Sequence, residues 1–148
     1  MRKIISLLLL IASAGFAFAH SGATGIVKER MDGMGTLAQS MKALVQMERS
    51  QNIELDKAAE IARKVQAQSG YAMTRLFPAG QHQKVSEASP AIWQDWDRFE
   101  QISKELFQAA AQLEANAKSG SVDLTSAIRE LGVTCSSCHQ DFRIKKRK

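Results

Sequence analysis

Two cysteines and a histidine stand together near the C-terminal end of the 148-residue chain, as Cys135-Ser136-Ser137-Cys138-His139. The pattern is C-x-x-C-H, the form that attaches a c-type haem covalently. Its spacing has a physical basis. Helical residues three apart project from one face, so both thiols can reach the vinyl groups of one porphyrin. His139 follows at once, and its imidazole can reach the iron as proximal ligand. Three rival readings use the same residues. A structural disulfide suits an oxidising compartment. A thioredoxin-like redox site needs a βαβ context, which this chain lacks. A zinc site needs a fourth ligand, His20 or His82, brought from afar. Haem c, as one covalent group with its iron, is the expected cofactor, because it uses all three residues at this spacing.

Such a motif needs helices to position it, and apolar periodicity supplies four. Over residues 24–50, Val27, Met31, Met34, Ala38, Met41 and Val45 recur in steps of four and three, the mark of one helix face. Over residues 54–77 the stripe is Leu55, Ala58, Ala62, Val65, Ser69, Ala72 and Leu76. Asn52 or Ser50 is placed to cap its start, and Pro78 with Gly80 stops it. A polar loop leads to Ser89-Pro90, a good helix opening. Ile92, Trp96, Phe99, Ser103, Leu106, Ala110, Leu113 and Ala117 then share a face until Ser119-Gly120-Ser121. Asp123 caps the last segment, whose seam is Leu124, Ile128, Leu131, Cys135, Cys138 and Phe142. Gly132 lies inside that segment and weakens it locally. No stretch alternates at period two. The expected fold is all-α, an antiparallel four-helix bundle with short links. Small seam residues (Ala38, Ala58, Ala62, Ala72, Ala110, Ala117) leave room for close helix approach or for a bulky guest inside.

Composition narrows the classes further. The chain is 24% charged and 45% hydrophobic, with 2 Pro and a single Tyr, which argues against a β-sandwich and against disorder. Arg2 and Lys3 precede an apolar run over residues 4–11, and Ala17-Phe18-Ala19 follows. This reads as a signal peptide over residues 1–19, leaving one domain over 20–148 and an address in the periplasm. No run reaches the ~18 residues of a spanning helix, so no stable membrane insertion is expected after cleavage. The net charge is +5; losing Arg2 and Lys3 leaves +3. Arg143, Lys145, Lys146, Arg147 and Lys148 hold five of the positive charges, so the body without them stands at −2. The high pI therefore belongs to a tail. Without interleaved aromatics, and in an exported protein, that tail is no nucleic-acid site. It is either a solvated helix end, which suits cations, or a dock for an acidic partner or membrane surface.

The residues around the motif extend the picture. Cys135 to Arg143 reads C-S-S-C-H-Q-D-F-R. With Val27-Lys28-Glu29-Arg30-Met31, Leu76-Phe77-Pro78 and Pro90-Ala91-Ile92-Trp93, the mature chain resembles the cytochrome c′ family over nearly its whole length. The resemblance implies a four-helix bundle with haem inside near one end, often as a homodimer. Members differ at the far side of the iron. Many keep an apolar residue there, stay five-coordinate and bind nitric oxide or carbon monoxide. Others, of the cytochrome c-556 type, place a methionine there and carry electrons. The family's distal position lies seven residues after the Val and four after the Arg, and both counts land on Met34.

A thioether opposite histidine raises the reduction potential and favours outer-sphere electron transfer. Methionines at helical spacing also fill cores, and Met31 is the second candidate ligand. Gly33 and Gly35, unusual inside a helix, would let the backbone approach the ring closely. Arg30 is either solvated, as most helical arginines are, or, as the resemblance implies, paired with a haem propionate. Arg143, four residues after His139 and on the same face, would border the proximal pocket, and Phe142, one turn after Cys138, would pack on the porphyrin or serve as plain core. Trp96 reads as core, Trp93 as a dimer-face or loop-packing residue, and His82 as solvated. His20, as the mature N-terminus, could chelate copper, but nothing else supports such a site. The function expected is electron transport between redox partner proteins, with gas binding as the alternative. A peroxidase is not expected, because the first-helix stripe offers no distal acid–base group.

Overall fold

The structure, a computed structural model, describes residues 22–80 and 85–144. The leader, His20, His82 and Lys145 to Lys148 lie outside the described residues. Among the described residues six helices follow one another: α1 (Gly25–Arg49), α2 (Leu55–Gln66), α3 (Tyr71–Thr74), α4 (Ala91–Gln94), α5 (Trp96–Ser119) and α6 (Leu124–Phe142). The four longest form the bundle. α1 packs on α2, α2 on α5, α5 on α6, and α6 closes back onto α1. Among the described residues no helix is long and apolar enough to cross a membrane. Among the described residues the one extended pairing is an isolated bridge between Ala88 and Arg143.

Local chemistry sets the ends of α5 and α6. Gly120 adopts the left-handed conformation (φ 75°) after α5. The Ser121 amide then reaches back to the Asn116 carbonyl at 3.0 Å, the Schellman closure that glycine permits. Asp123 caps α6 as expected, accepting from the Ser126 amide at 3.0 Å. Asp95 does the same for α5, with the Arg98 amide at 3.4 Å.

Three expectations are corrected. The second segment is not continuous to Phe77. α2 ends at Gln66, and Gly70 turns the chain at φ 59° before α3. Ser103 of α5 locks this turn from both sides: its carbonyl takes the Gly70 amide at 3.0 Å, and its hydroxyl donates to the Gly70 carbonyl at 3.1 Å. Neither Asn52 nor Ser50 caps α2; Glu54 occupies that position without a side-chain bond. The third segment does not run unbroken from Ser89. Asp95, at φ −132° and ψ 62°, separates the short α4 from α5.

The face of α1 is also corrected. Its buried residues are Val27, Arg30, Gly33, Leu37, Ser40, Leu44 and Met47. Ala38 is exposed, and Met31, Met34, Met41 and Val45 are half-buried. The helix is rotated so that Met34 and Met41 lie on a shoulder of the buried stripe. Its core stripe includes Arg30, whose Nε donates to the Leu76 carbonyl and whose guanidinium lies over the Phe77 ring. On the other helices most of the expected seams hold: Ala58, Ala62, Val65, Phe99, Leu106, Ala110, Leu113, Ala117, Leu124, Leu131 and Phe142 are buried, whereas Leu55, at the open start of α2, is exposed and Ala72, Trp96, Ile128, Cys135 and Cys138 are half-buried.

α2 and α5 are also joined by charge. Glu114 accepts from Gln66 at 2.7 Å and meets Arg63 at 3.3 Å and Lys118 at 2.5 Å. The Lys118 hydrogen bond, followed by those of Gln66 and Arg63, holds its carboxyl down at about 2, against an ordinary 4.5. A carboxyl depressed by folding stabilises the native state above its ordinary value, and that contribution is lost as pH falls toward the folded value. Thermal midpoints of Glu114→Gln should therefore lie below wild type at pH 7, and the gap should close between pH 4.5 and pH 2. A gap that stays constant over that range would show that the carboxylate contributes nothing.

Candidate functional site

The thiols of Cys135 and Cys138 lie one turn apart on the inner seam of α6, unbridged and half-buried. On the same seam Leu131 is 0% exposed and Phe142 5%. Protein thus covers the seam less fully at the cysteines than on either side. Burial pushes the Cys135 thiol up. Burial, then Cys135 and Asp141, pushes Cys138 up to about 11. Both sulfurs are therefore neutral thiols at pH 7. Two unbridged thiols one turn apart are placed to add across the vinyl groups of one apolar ring. Among the described residues no three His, Cys, Asp or Glu side chains converge as metal ligands.

Aromatic rings close this end of the bundle. Phe99 of α5 is the hub, 4.9 Å from Phe77, 5.5 Å from Trp96 and 5.4 Å from Phe142 between ring centroids. Arg30 of α1 reaches the same cluster. It is 4% exposed, its guanidinium lies 4.4 Å above the Phe77 ring, and its Nε donates to the Leu76 carbonyl. Desolvation lowers its pKa from the ordinary value. Trp93 packs on the loop, with its indole N–H donating to the Phe77 carbonyl at 2.9 Å.

A contact at the opposite end gives the register of α1 on α6. Thr125 donates to the Glu48 carboxylate at 3.0 Å. Counting back fourteen residues from Glu48 gives Met34, and counting on fourteen from Thr125 gives His139. At 1.5 Å per residue each count travels about 21 Å, so in an antiparallel pair the two lie at one level. By the same count Arg30 is level with Arg143. Val27, one heptad before Met34 and within about 20° of it around the helix, is fully buried. His139 itself is exposed, and its pKa is lowered by desolvation and Arg143 against an opposing effect of Glu87.

The structure thus brings together Arg30, Phe142, Cys135, Cys138, His139 and Arg143 at one end, with Met34 at the level of His139. Sequence reading missed three residues here. Arg98 of α5 reaches both sides of the histidine, donating to Ser137 at 3.3 Å and facing Asp141 at 3.8 Å. Glu87 pairs with Arg143 at 2.7 Å. Gln68 lies against Gly33, where an added Cβ would come within 2.7 Å of its Oε1. The close approach at Gly33 is therefore made by this side chain. None carries a local signal; Arg98 and Glu87 are defined by partners 39 and 56 residues away.

A helical bundle with C-x-x-C-H on the inner seam of its last helix is a c-type cytochrome of the four-helix class. The comparisons agree. The family model described as Cytochrome C′ matches residues 25–143. The chain is 30% identical to cytochrome c′ of Cereibacter sphaeroides, over 99% of this chain and all of that one. It is also 30% identical to cytochrome c-556 of Agrobacterium tumefaciens, over 82% of this chain and 99% of the other. The solved structure of cytochrome c′ from Rhodobacter Spheriodes covers 82% of this chain and 96% of its own, at 30% identity and TM-score 0.71. The chain belongs to the cytochrome c′ family, whose members bind one covalent haem c with its iron. The paired neutral thiols, the aromatic cluster and the buried cation fit that group.

Proposed function

We propose that this protein is a periplasmic electron carrier whose haem is held by Cys135 and Cys138, with His139 as proximal and Met34 as distal ligand. The observation that carries the proposal is the Thr125–Glu48 contact between packed α1 and α6, from which helical rise counts Met34 level with His139. When bound, the haem supplies a one-electron couple. The chain's own residues do the rest. The two thiols anchor the ring through thioethers, so it cannot be lost to the surrounding fluid. Phe142 and Phe99 keep the site apolar. Arg30, buried beside Phe77, offers a guanidinium whose fork suits a propionate carboxylate. A sulfur opposite an imidazole favours the ferrous state and needs little rearrangement on electron transfer. Export follows from the leader, and redox partner proteins are the implied contacts. A homodimer matches the family pattern.

The second reading, a five-coordinate gas binder, has support in the family itself, since a cytochrome c′ is among the relatives at 30% identity. One optical spectrum separates the two. The ferric holoprotein should be low-spin with a weak band near ~695 nm, the charge-transfer signature of sulfur on iron. A high-spin spectrum without that band would sink the carrier reading and leave the gas binder.

A further inference from the structure

The chain just before α4 is tied to the chain just after α6. The Ser89 amide donates to the Phe142 carbonyl at 2.8 Å, and the Ile144 amide donates to the Glu87 carbonyl at 2.8 Å. Between them Ala88 pairs with Arg143. The Glu87 side chain completes the tie, taking Arg143 Nε at 2.7 Å and Nη2 at 2.5 Å. Arg143 lies one helical turn beyond His139, and its amide donates to the His139 carbonyl at 3.3 Å. Glu87 thus contributes both a backbone carbonyl and a carboxylate to the tie on the chain that follows the histidine.

We propose that Glu87 is a positioning residue for the haem site: it neutralises Arg143 beside the proximal histidine, pins the end of α6, and so sets part of the reduction potential. The inference rests on His139 as proximal ligand. Its physics is simple. An uncompensated cation near the iron disfavours the ferric state, which carries one more positive charge than the ferrous. Glu87 supplies the compensation. Glu87 is 29% exposed and Arg143 53%, so the pair is partly shielded and its effect must weaken with salt.

The test is a redox titration of the holoprotein at low and high ionic strength. Glu87→Gln should raise the equilibrium constant for reduction by roughly threefold to tenfold. Arg143→Gln should lower it by a similar factor, and the double variant should return near wild type. Glu87→Asp, which keeps the charge, should lie closer to wild type than Glu87→Gln. High salt should shrink the single-variant shifts. Amide exchange at Ser89 and Ile144 should quicken in Glu87→Gln. A purely structural clamp predicts otherwise: both single variants lose thermal stability, while their potentials stay fixed or move in the same direction, and that outcome overturns the proposal. Covalent haem is measured first by mass. A preparation without it sinks the haem site and this inference together; loaded protein with unmoved potentials sinks this inference alone.

Discussion

Replacing Met34 by alanine should convert the ferric protein from low-spin to high-spin or water-ligated. The weak band near ~695 nm should vanish with the sulfur. The reduction potential should fall by about 0.1 V or more, since axial ligands set haem potentials over a range of about 0.8 V. Carbon monoxide binding should accelerate. If the sulfur-bound form holds about 99% of the population, its removal speeds binding by about a hundredfold. Met31→Ala is the control. Met31 is half-buried and sits one turn away, so its loss should cost about 1–2 kcal/mol of packing and leave the spectrum unchanged. If Met31→Ala alters the spectrum instead, the distal ligand lies one turn earlier on α1. If wild type already binds carbon monoxide without delay, Met34 is packing and the gas-binding reading stands.

The attachment chemistry gives the second large effect. Wild type made with a cytochrome maturation apparatus should retain its haem through acid–organic extraction, because two thioethers hold it. Cys135→Ala and Cys138→Ala should each leave a single, weaker linkage, and the double variant should release all of its haem on extraction. The thermal midpoint should fall in the same order, since a group that binds only the native state stabilises it by mass action. Mass spectrometry of the intact chain checks the linkage directly. A wild-type polypeptide with no added haem mass would refute the site.

The helical class was legible because the core seams of α5 and α6 follow the helix period, and their caps, Asp123 and Gly120, act within a few residues of where they stand. α1 was harder. Its more apolar stripe, with Met31, Met34, Ala38 and Met41, is not the buried one. The buried stripe carries Arg30, Gly33 and Ser40. Hydropathy ranks those residues as outward-facing. Arg30 and Gly33 turn inward because Leu76 and Phe77 receive the Arg30 guanidinium and Gln68 fills the surface that Gly33 leaves open.

By itself, the sequence determined the chemistry that depends on neighbours in the chain. C-x-x-C-H places two thiols and an imidazole by helical geometry alone, wherever the helix sits. Tertiary structure alone decided what surrounds that motif. The Phe77, Phe99 and Phe142 cluster, the burial of Arg30, the level of Met34 against His139 and the Glu87–Arg143 tie all join residues from separate elements. Such pairs leave no periodic trace, because their spacing along the chain is set by loop lengths. The packing of α6 onto α1 and α5, and of the segments after α3 and before α4 onto that end of the bundle, brings them to one place.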